Sequence, residues 1–350
     1  MSEPKIKIAV VGASGYSGGE LIRLLIMHPK VELVAVTSRQ HAGTPLEEVF
    51  PRFRGAAALN GLSFIEPSID AIAATGAECA FLALPHGVAY QFAGPLLEKG
   101  IRVVDLSADF RLNDAEVYQE FYDTIHPTPE LLTEAVYGLP EVRAAEIAKA
   151  RLVASPGCYP TSIFIPTLPL LAEELISPGS IIVSSVSGAS GAGKKASEAL
   201  LFAEVNESVR AYGAPRHRHL SEIEQEMSLA AQQEVKISFV PHLMPVTAGI
   251  ASTIFAKLKT GVTSDDLAAA FTKHYTDAPF VRVLGEGKFG DTKHVVGTNF
   301  VDFGWVIDAR TDRVILCSAE DNLGKGASSQ AIQSFNLMFG LDQSAGLLNF

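Results

Sequence analysis

Residues 6–18 read IKIAVVGASGYSG, an apolar run that passes directly into a glycine-rich turn. A short run that is almost entirely apolar is typical of a parallel strand buried on both faces. The turn opens a segment in which Leu21, Leu24 and Leu25 recur at helical spacing. The turn, GASGYSG at residues 12–18, is a GxxGxxG variant of the dinucleotide-binding fingerprint. Its glycines let the backbone approach a pyrophosphate at the helix N-terminus. We therefore predict dinucleotide contacts at Gly12, Ser14, Gly15, Tyr16, Ser17 and Gly18.

The end of the second predicted strand, residues 31–37, bears on the choice of cofactor. Enzymes that use NAD usually place an Asp or Glu there to bind the ribose hydroxyls. This chain instead continues with Ser38-Arg39, and a guanidinium offers several planar donors to the oxygens of a 2′-phosphate. These residues predict NADP rather than NAD. For the glycine-rich turn at residues 12–18, the alternative is a structural turn that binds no ligand. For Arg39, the alternative is a solvated charge on a loop.

Short β-branched runs alternate with helical stretches as far as about residue 150, which is typical of right-handed βαβ units. Beyond that point the segments are strand-like, with few helices between them, until a helical pattern appears at residues 322–339. The sequence therefore predicts an α/β protein with a Rossmann-type, doubly wound parallel sheet and a second α+β domain with a mixed or antiparallel sheet. The strand-like segments of the second domain are residues 181–187, 236–240, 250–258, 280–283, 295–308 and 314–317.

The composition limits the possible partners. A chain of 350 residues is long enough for two to three domains, and 47% hydrophobic with 19% charged residues is typical of a globular protein. The formal net charge of −11 disfavours binding to nucleic acid or anionic lipid. Residues 1–15 lack the continuous apolar region of a signal peptide, and no stretch is apolar enough to span a membrane. We expect a cytoplasmic protein.

Three cysteines, Cys79, Cys158 and Cys317, are too few and too widely spaced for a disulfide framework and indicate a reducing compartment. Cys158 lies in SPGCYPT, residues 155–161, after a predicted strand and just before Pro160, a residue favoured in the first turn of a helix. A helix N-terminus raises the thiolate fraction, so Cys158 is the predicted nucleophile. Cys79 and Cys317 lie within apolar strands and are interpreted as small buried hydrophobes, which is also the alternative for Cys158.

Two histidines flank an arginine in His217-Arg218-His219, and Ser221 with Glu224 has the spacing of a capping box. The box predicts that the histidines lie on the extended entry to a helix. No nearby His or Cys completes a metal site, so we predict no metal. An imidazole titrates near neutral pH and can exchange a proton with an oxygen on a reacting carbon. Either histidine is therefore a candidate acid or base, with a structural role as the alternative.

Further polar turns follow predicted strands at residues 84–87, 105–111 and 187–194. They would lie at the carboxyl edge, where open α/β sheets bind ligands. Arg111 could clamp a phosphate or a carboxylate, and the loop at residues 188–193 could approach a nicotinamide closely. Structural turns explain either feature equally well.

Nine short motifs resemble those of a known family and occur in the family's order. They are GASGYSG (12–18), LPHG (84–87), DLSADFRL (105–112), YGLPE (137–141), SPGCYPT (155–161), SGASGAG (187–193), HRH (217–219), PHLMPVT (241–247) and DNLGKGA (321–327). They cover nearly the whole chain, and SPGCYPT together with HRH is far more specific than the glycine fingerprint. The chain thus resembles the N-acetyl-gamma-glutamyl-phosphate reductases, within the wider aspartate-semialdehyde dehydrogenase group.

This resemblance implies an NADP-dependent oxidoreductase of arginine biosynthesis. It would reduce N-acetyl-L-glutamyl 5-phosphate to N-acetyl-L-glutamate 5-semialdehyde, with loss of phosphate, through a thioester on Cys158. His219 would be the first candidate for acid–base catalysis and His217 the second. We expect further cofactor contacts at Pro85, His86, Ser187, Gly188, Gly191 and Asn322, and substrate contacts at Arg111, Ser155 and Tyr159.

The resemblance also implies a discontinuous first domain. Residues 1–154 and 320–350 would form the NADP-binding domain, onto which the C-terminal helix packs back. Residues 155–319 would form the catalytic and oligomerisation domain, and a homo-oligomer, a tetramer or a dimer, is expected.

Two positions depart from the family pattern. Ala248 stands where the family usually has Arg, and Ser221 where it commonly has Pro. Because the guanidinium is missing, a second function remains a candidate. The chain could be a related acyl-phosphate reductase whose substrate is linked to a carrier protein or is an aminoadipyl compound. A non-catalytic NADP-binding regulator is a further alternative, which the intact Cys158 and His219 disfavour.

Overall fold

The computed structural model describes residues 4–59 and 61–348. The chain divides into two compact units, and each has its own sheet. The first unit comprises Met1–Ala115, Ile125–Pro156 and Ala327–Phe350, and the second comprises Glu116–Thr124 and Gly157–Gly326.

The strands and helices are numbered along the chain. The strands are β1 (Ile6–Val11), β2 (Val31–Thr37), β3 (Phe64–Ile65), β4 (Cys79–Leu82), β5 (Arg102–Asp105), β6 (Val136–Tyr137), β7 (Leu152–Ala154), β8 (Ile182–Gly188), β9 (Arg210–Ala211), β10 (Ser238–Met244), β11 (Ile250–Lys257), β12 (Val281–Glu286), β13 (Val301–Asp308) and β14 (Arg313–Glu320). The helices are α1 (Tyr16–Leu25), α2 (Leu46–Val49), α3 (Ile69–Ala74), α4 (Tyr90–Glu98), α5 (Ala115–Tyr122), α6 (Pro140–Ile147), α7 (Cys158–Ala172), α8 (Phe202–Val205), α9 (His219–Ala231), α10 (Ser264–Tyr275) and α11 (Ser329–Met338). In the described part of the chain, none of these helices is long and apolar enough to cross a membrane.

The sheet of the first unit has the order β3-β2-β1-β4-β5-β7-β6, and its neighbouring strands pair in parallel. Most of β1 and all of β4 are buried, as expected of central strands covered on both faces. The strand order runs outward in both directions from the β1–β4 pair. Open α/β sheets bind ligands at the carboxyl ends of the strands where the order reverses in this way. The predicted Rossmann-type sheet is confirmed.

The sheet of the second unit has the order β12-β13-β14-β11-β8-β10-β9. Strands β8 and β10 pair in parallel, as do β12 and β13, whereas the other neighbours are antiparallel. The predicted mixed sheet is therefore confirmed. Two expected boundaries move: β13 begins at Val301 rather than near residue 295, and the helical pattern from residue 322 is a π-helical turn, Gly324–Ser328, followed by α11.

Helix α7 continues through two prolines, Pro166 and Pro169. Because proline has no N–H, each leaves the carbonyl four residues earlier without its helical donor. Those carbonyls belong to Ser162 and Ile165. The Ser318 hydroxyl donates to Ser162 O at 2.6 Å, and the Tyr275 hydroxyl donates to Ile165 O at 2.6 Å. Side chains of β14 and α10 thus replace both missing backbone hydrogen bonds.

A chain of hydroxyl groups also fixes α7 against its sheet. Ser162 Oγ lies 2.7 Å from Ser252 Oγ on β11, which lies 2.7 Å from Ser185 Oγ on β8. All three side chains are buried. Buried hydrogen bonds are directional, and their loss is costly in free energy. They therefore hold the helix in one position on the strands.

Substitution of Tyr275 by phenylalanine tests the replacement of these hydrogen bonds. Tyr275→Phe leaves the buried Ile165 carbonyl without that donor, and we expect the free energy of unfolding to fall by about 1–3 kcal/mol. Denaturant titration measures the difference. Tyr90→Phe is the control, since the Tyr90 hydroxyl accepts an exposed hydrogen bond from Gln91. Equal effects of the two substitutions would contradict the expectation.

Candidate active site

The turn between β1 and α1 requires glycine for steric reasons. Gly12 has a φ of +80°, and a β-carbon there would lie 2.5 Å from the Ala83 oxygen. A β-carbon at Gly18 would lie 2.6 Å from backbone atoms of Ala13. Gly15 is the N-cap of α1 and supplies no side-chain cap, and the first turn has no acidic residue. The amides at the start of α1 are therefore well suited to bind a phosphate group.

A cavity of about 270 Å³ adjoins this turn at the carboxyl ends of β1, β2 and β4. The Gly12 N–H donates to Thr37 Oγ1 at 3.2 Å, and the Ser14 and Ser38 hydroxyls are 3.1 Å apart, so the ends of β1 and β2 are tied together. The cavity is lined by Gly12, Ser14, Thr37, Ser38, Arg39, Gln40, Pro67, Leu84, Pro85, Val88 and Phe92.

The structure therefore brings together five of the predicted cofactor residues of the first unit at this cavity: Gly12, Ser14, Ser38, Arg39 and Pro85. The other turn residues, Gly15, Tyr16, Ser17 and Gly18, form the N-terminus of α1. His86 is exposed in the next loop, where its Nδ1 accepts the Ala108 N–H at 3.0 Å.

Arg39 is the cation at this cavity. Its side chain is exposed, and no carboxylate of the described residues forms an ion pair with it. The cavity lining contains no Asp or Glu. An open turn, an uncapped helix N-terminus and a guanidinium without a competing carboxylate fit a dinucleotide that carries an additional phosphate.

The DLSADFR segment links three loops of the first unit. Asp109 accepts the Gly87 N–H at 2.6 Å and the Tyr90 N–H at 3.3 Å. Arg111 is buried, and it donates from Nε to Ser155 O at 2.8 Å and from Nη2 to Leu106 O at 2.9 Å. Two of the guanidinium nitrogens thus hold main-chain carbonyls, one of them three residues before Cys158.

Asp105 is the first residue of the same segment and is completely buried. Burial, and then the neighbouring Asp109, raise the pKa of its carboxyl to about 7, while hydrogen bonds from Ser107 oppose the shift. Ser155 is also completely buried, and its hydroxyl has no hydrogen-bond partner among the described residues. Sequence reasoning could not foresee that Arg111 faces the backbone rather than open space.

In the second unit, Cys158 is the first residue of α7 and Gly157 is its N-cap. The cysteine is half-buried, and the first turn of α7 contains no acidic residue that would offset the positive end of the helix dipole. These surroundings favour a thiolate. The other thiols are different: burial raises the pKa of Cys79 far above its usual range and also raises the pKa of Cys317.

His219 packs against the N-cap of α7. A β-carbon at Gly157 would lie 2.7 Å from His219 Nε2 and 2.7 Å from Glu222 Oε1, so only glycine fits between them. The Gly157 N–H donates to Glu222 Oε2 at 3.2 Å, and Glu222 Oε1 is 4.0 Å from His219 Nε2. An imidazole and a buried carboxylate therefore flank the residue next to Cys158.

His217 has a different environment. Its Nδ1 accepts the His219 N–H at 3.2 Å. Burial, followed by the charge of Arg218, lowers its pKa to about 4.

The predicted capping box is wrong. Helix α9 begins at His219, and His217 rather than Ser221 accepts an amide at the helix start. Ser221 Oγ instead donates to the Arg218 carbonyl at 2.8 Å. Glu224 accepts the Ile237 N–H.

Tyr159 follows Cys158 and is buried, with its hydroxyl 2.8 Å from that of Tyr212. Burial raises the pKa of Tyr212 to about 12 and that of Tyr159 further, and a charge on Cys158 adds to both shifts. The two hydroxyls therefore lie within electrostatic range of the sulfur.

Sequence analysis missed Tyr212 and Glu222. The HRHxxE spacing could have indicated Glu222, whereas Tyr212 lies in a segment without a recognisable signal.

The loop after β8 is clamped by Asn322. Its Oδ1 accepts the Gly249 N–H at 2.8 Å, and its Nδ2 donates to Ser190 Oγ at 2.9 Å. A β-carbon at Gly188 would lie 2.7 Å from Ala248 N, and one at Gly191 would lie 3.1 Å from Ser187 Oγ. The predicted residues Ser187, Gly188, Gly191 and Asn322 thus form one tightly packed loop junction.

The π-helical turn packs directly against Cys158. A β-carbon at Gly326 would lie 2.8 Å from Cys158 Cβ and 2.8 Å from Glu320 Oε1. The missing side chain lets the backbone contact the cysteine, which explains why a glycine is needed within DNLGKGA.

Comparison with known proteins agrees with this architecture. Residues 7–150 match the family described as "Semialdehyde dehydrogenase, NAD binding domain", and residues 158–322 match "Semialdehyde dehydrogenase, dimerisation domain". Aspartate semialdehyde dehydrogenase II from Vibrio cholerae shares the fold, with a TM-score of 0.73 at 15% identity over 97% of this chain and 99% of that one. The enzyme from Candida albicans, solved with NADP, gives 0.69 at 15% identity over 96% and 99%. The fold and the site define an oxidoreductase of the semialdehyde dehydrogenase class.

More similar relatives narrow the assignment. The N-acetyl-gamma-glutamyl-phosphate reductase of Akkermansia muciniphila is 57% identical, over 98% of this chain and 99% of that protein. The one from Citrifermentans bemidjiense is 50% identical, over 98% of both. The chain belongs to the N-acetyl-gamma-glutamyl-phosphate reductase family, so the resemblance seen in the sequence is confirmed.

Proposed function

We propose that this chain catalyses the NADPH-dependent reductive dephosphorylation of N-acetyl-L-glutamyl 5-phosphate to N-acetyl-L-glutamate 5-semialdehyde. The observation that carries the proposal is the position of Cys158 at the start of α7, with His219 and Glu222 against its N-cap. The full-length similarity to reductases of this name supports the choice of substrate.

The first unit would hold the cofactor. Gly12, Gly15 and the first amides of α1 would bind the pyrophosphate, and Ser38 with Arg39 would bind the 2′-phosphate. We propose nicotinamide contacts for the loop junction of Ser187, Gly188, Gly191 and Asn322, and further contacts for Pro85 and His86. NADPH, when bound, supplies the hydride that reduces the acyl group.

The chemistry of the chain's own residues starts at Cys158. Its thiolate, favoured by the dipole of α7, attacks the acyl carbon of the acyl phosphate. A carbon–sulfur bond forms, the carbon–oxygen bond to phosphate breaks, and phosphate leaves with that electron pair. Cys158 then carries a thioester. After reduction, the thiohemiacetal on Cys158 collapses to the aldehyde and regenerates the sulfur nucleophile.

His219 is the proposed acid and base in these steps. It would donate a proton to the oxygen of the thiohemiacetal and remove it again as the carbon–sulfur bond breaks. His217 is less suited, because its Nδ1 is occupied by the His219 amide and its pKa of about 4 keeps it neutral near pH 7. We therefore propose a positioning role for His217 in forming the start of α9.

Three residues remain proposed for the substrate. Tyr159, with Tyr212, would present hydroxyl groups near the sulfur. Ser155 has a buried hydroxyl that is available as a donor or acceptor. Arg111 would act indirectly, by holding the Ser155 carbonyl and so the turn that leads to Cys158.

We further propose that the first unit is the NADP-binding domain and the second the catalytic and oligomerisation domain. The match of residues 158–322 to a dimerisation domain supports a homo-oligomer, a dimer or tetramer. The net charge of −11 supports the absence of a nucleic-acid partner. We propose a cytoplasmic location, consistent with three cysteines that form no disulfide with one another, and no membrane partner or metal requirement.

The function is best tested in the reverse direction, because acyl phosphates are labile. Purified protein should reduce NADP with N-acetylglutamate semialdehyde only when inorganic phosphate is present. An aminoadipyl semialdehyde and a carrier-linked semialdehyde serve as competing substrates. Faster turnover of either would contradict the assignment to the free N-acetylglutamyl compound and would favour the alternative that Ala248 keeps open.

Substitution of Arg39 tests the cofactor assignment. Arg39→Ser should lower kcat/KM for NADPH by about 10- to 100-fold and leave that for NADH nearly unchanged, because a charge-assisted contact to phosphate is lost. Steady-state kinetics with both cofactors measure the ratio. Arg54→Ser, at another exposed arginine of the first unit, is the control. An equal loss with NADPH and NADH would show that Arg39 does not recognise the 2′-phosphate.

A further inference from the structure

We propose that Glu222 is a positioning residue that couples the nucleophile to its acid–base partner by holding the N-cap amide of α7 and the imidazole of His219 at the same time. This inference rests on the proposed function, since it gives Glu222 a part in the proton transfers assigned to His219.

The first observation is the location of the carboxylate. The Glu222 side chain is 1% exposed and lies in the first turn of α9, three residues after His219. A buried carboxylate is costly unless it is stabilised by donors and positive charge. The Gly157 N–H at 3.2 Å is one such donor, and the N-terminal end of α9 contributes a partial positive charge.

The second observation is that one carboxyl group spans two helices. Oε2 accepts the amide of Gly157, the residue before Cys158, whereas Oε1 faces His219 Nε2 at 4.0 Å. A β-carbon at Gly157 would lie 2.7 Å from both Glu222 Oε1 and His219 Nε2, so no side chain separates them. Movement of Glu222 would displace the start of α7 and the imidazole together.

The charges around His219 decide what Glu222 contributes. From α9 and its entry, His219 faces the neutral His217 ring at 4.9 Å and follows Arg218, whose cation lies over Tyr122 at 6.0 Å. From α7 it faces the Tyr159 ring at 6.0 Å. Cys158 lies beyond Gly157.

Arg218 and a thiolate at Cys158 act on the imidazole in opposite directions. Tyr159 and Tyr212 stay protonated at neutral pH, because burial raises the pKa of both hydroxyls. Glu222 is the buried carboxylate that faces Nε2 directly. It therefore favours the imidazolium form, which is the form that donates a proton.

The principal variant is Glu222→Gln. Its amide oxygen can still accept from Gly157, and its volume is unchanged, but its charge is lost. We expect kcat for phosphate-dependent NADP reduction to fall by about 10- to 100-fold with KM changed by less than about twofold. We also expect the acidic limb of the kcat profile to move about one pH unit lower, because the imidazolium is less favoured.

A matched control is available on the same helix. Glu226 is also buried and lies one turn further along α9, where it accepts a hydrogen bond from Gln225. Glu226→Gln makes the same change of charge at similar burial, and we expect the limb to stay at its wild-type pH. If both variants moved the limb equally, a general field effect would explain it and the proposal would be rejected.

A second readout does not depend on turnover. The rate of Cys158 alkylation by iodoacetamide between pH 5.5 and 8 reports the thiolate fraction. If Glu222 acts through the imidazolium, Glu222→Gln should slow alkylation below pH 7 by about threefold or more. A purely direct effect of the carboxylate on the sulfur would instead speed it, and an unchanged or faster rate would overturn the proposal. Alkylation also remains measurable if the wild-type enzyme lacks the proposed activity.

Glu222→Asp provides a further test and a safeguard if Glu222→Gln does not fold. It keeps the charge but shortens the side chain by one methylene group, which lengthens the contact to Gly157. We expect the acidic limb to remain at its wild-type pH while kcat falls. A limb that moves as far in Glu222→Asp as in Glu222→Gln would contradict the role of the charge.

Discussion

Replacement of Cys158 by serine is expected to lower phosphate-dependent NADP reduction by about 10⁴-fold or more. A serine hydroxyl at the same place is scarcely ionised near neutral pH, so the helix dipole that favours a thiolate cannot produce a comparable nucleophile. The rate is measured with the semialdehyde, NADP and phosphate, alongside NADP binding by fluorescence titration. We expect binding to be retained, because the proposed cofactor cavity lies in the first unit.

The control for this experiment is Cys317→Ser. Cys317 is half-buried in β14, and burial raises the pKa of its thiol, which makes it a poor nucleophile. Its substitution should leave the rate within about twofold of wild type. A Cys158→Ser protein that keeps a tenth or more of the activity would remove the thioester from the mechanism.

The second large effect is expected from His219→Gln, which should lower kcat by about 10²- to 10⁴-fold, the usual range for loss of a general acid or base. Its acidic limb should disappear from the kcat profile measured between pH 5 and 9. His217 cannot produce that limb, because burial and Arg218 lower its pKa to about 4 and it stays neutral throughout this range.

His217→Gln is the matched comparison. Loss of the ring removes the acceptor for the His219 amide, so we expect a smaller fall in kcat, accompanied by a lower thermal midpoint and an unchanged limb. If the limb vanished in His217→Gln and persisted in His219→Gln, the two roles would have to be exchanged.

The parts of the fold that follow from the sequence are those set by local patterns. The apolar run of β1, the glycine turn and the start of α1 follow one another directly in the sequence. A positive φ at Gly12 and the close approach of Gly18 to Ala13 are steric demands within this short stretch. Cys158 could likewise be placed at a helix start, since Pro160 and the preceding turn define that boundary locally.

The remaining features depend on contacts between distant segments. The capping-box spacing of Ser221 and Glu224 was misleading because the ring of His217 caps α9, and Glu224 binds the Ile237 amide instead. The orientation of Arg111 depends on the Ser155 carbonyl, 44 residues further along the chain. No pattern within either segment encodes these partners.

Helix α7 has a consequence for the way the enzyme can work. Ser162, one turn after Cys158, is joined to β11 and β8 by serine hydroxyls, and its carbonyl accepts a hydrogen bond from the Ser318 hydroxyl. A shift of one residue would turn the helix by about 100° and break all of these links. The backbone that carries Cys158 is therefore held in one position on the sheet, and in the proposed mechanism the acyl group must be brought to the sulfur in each catalytic cycle.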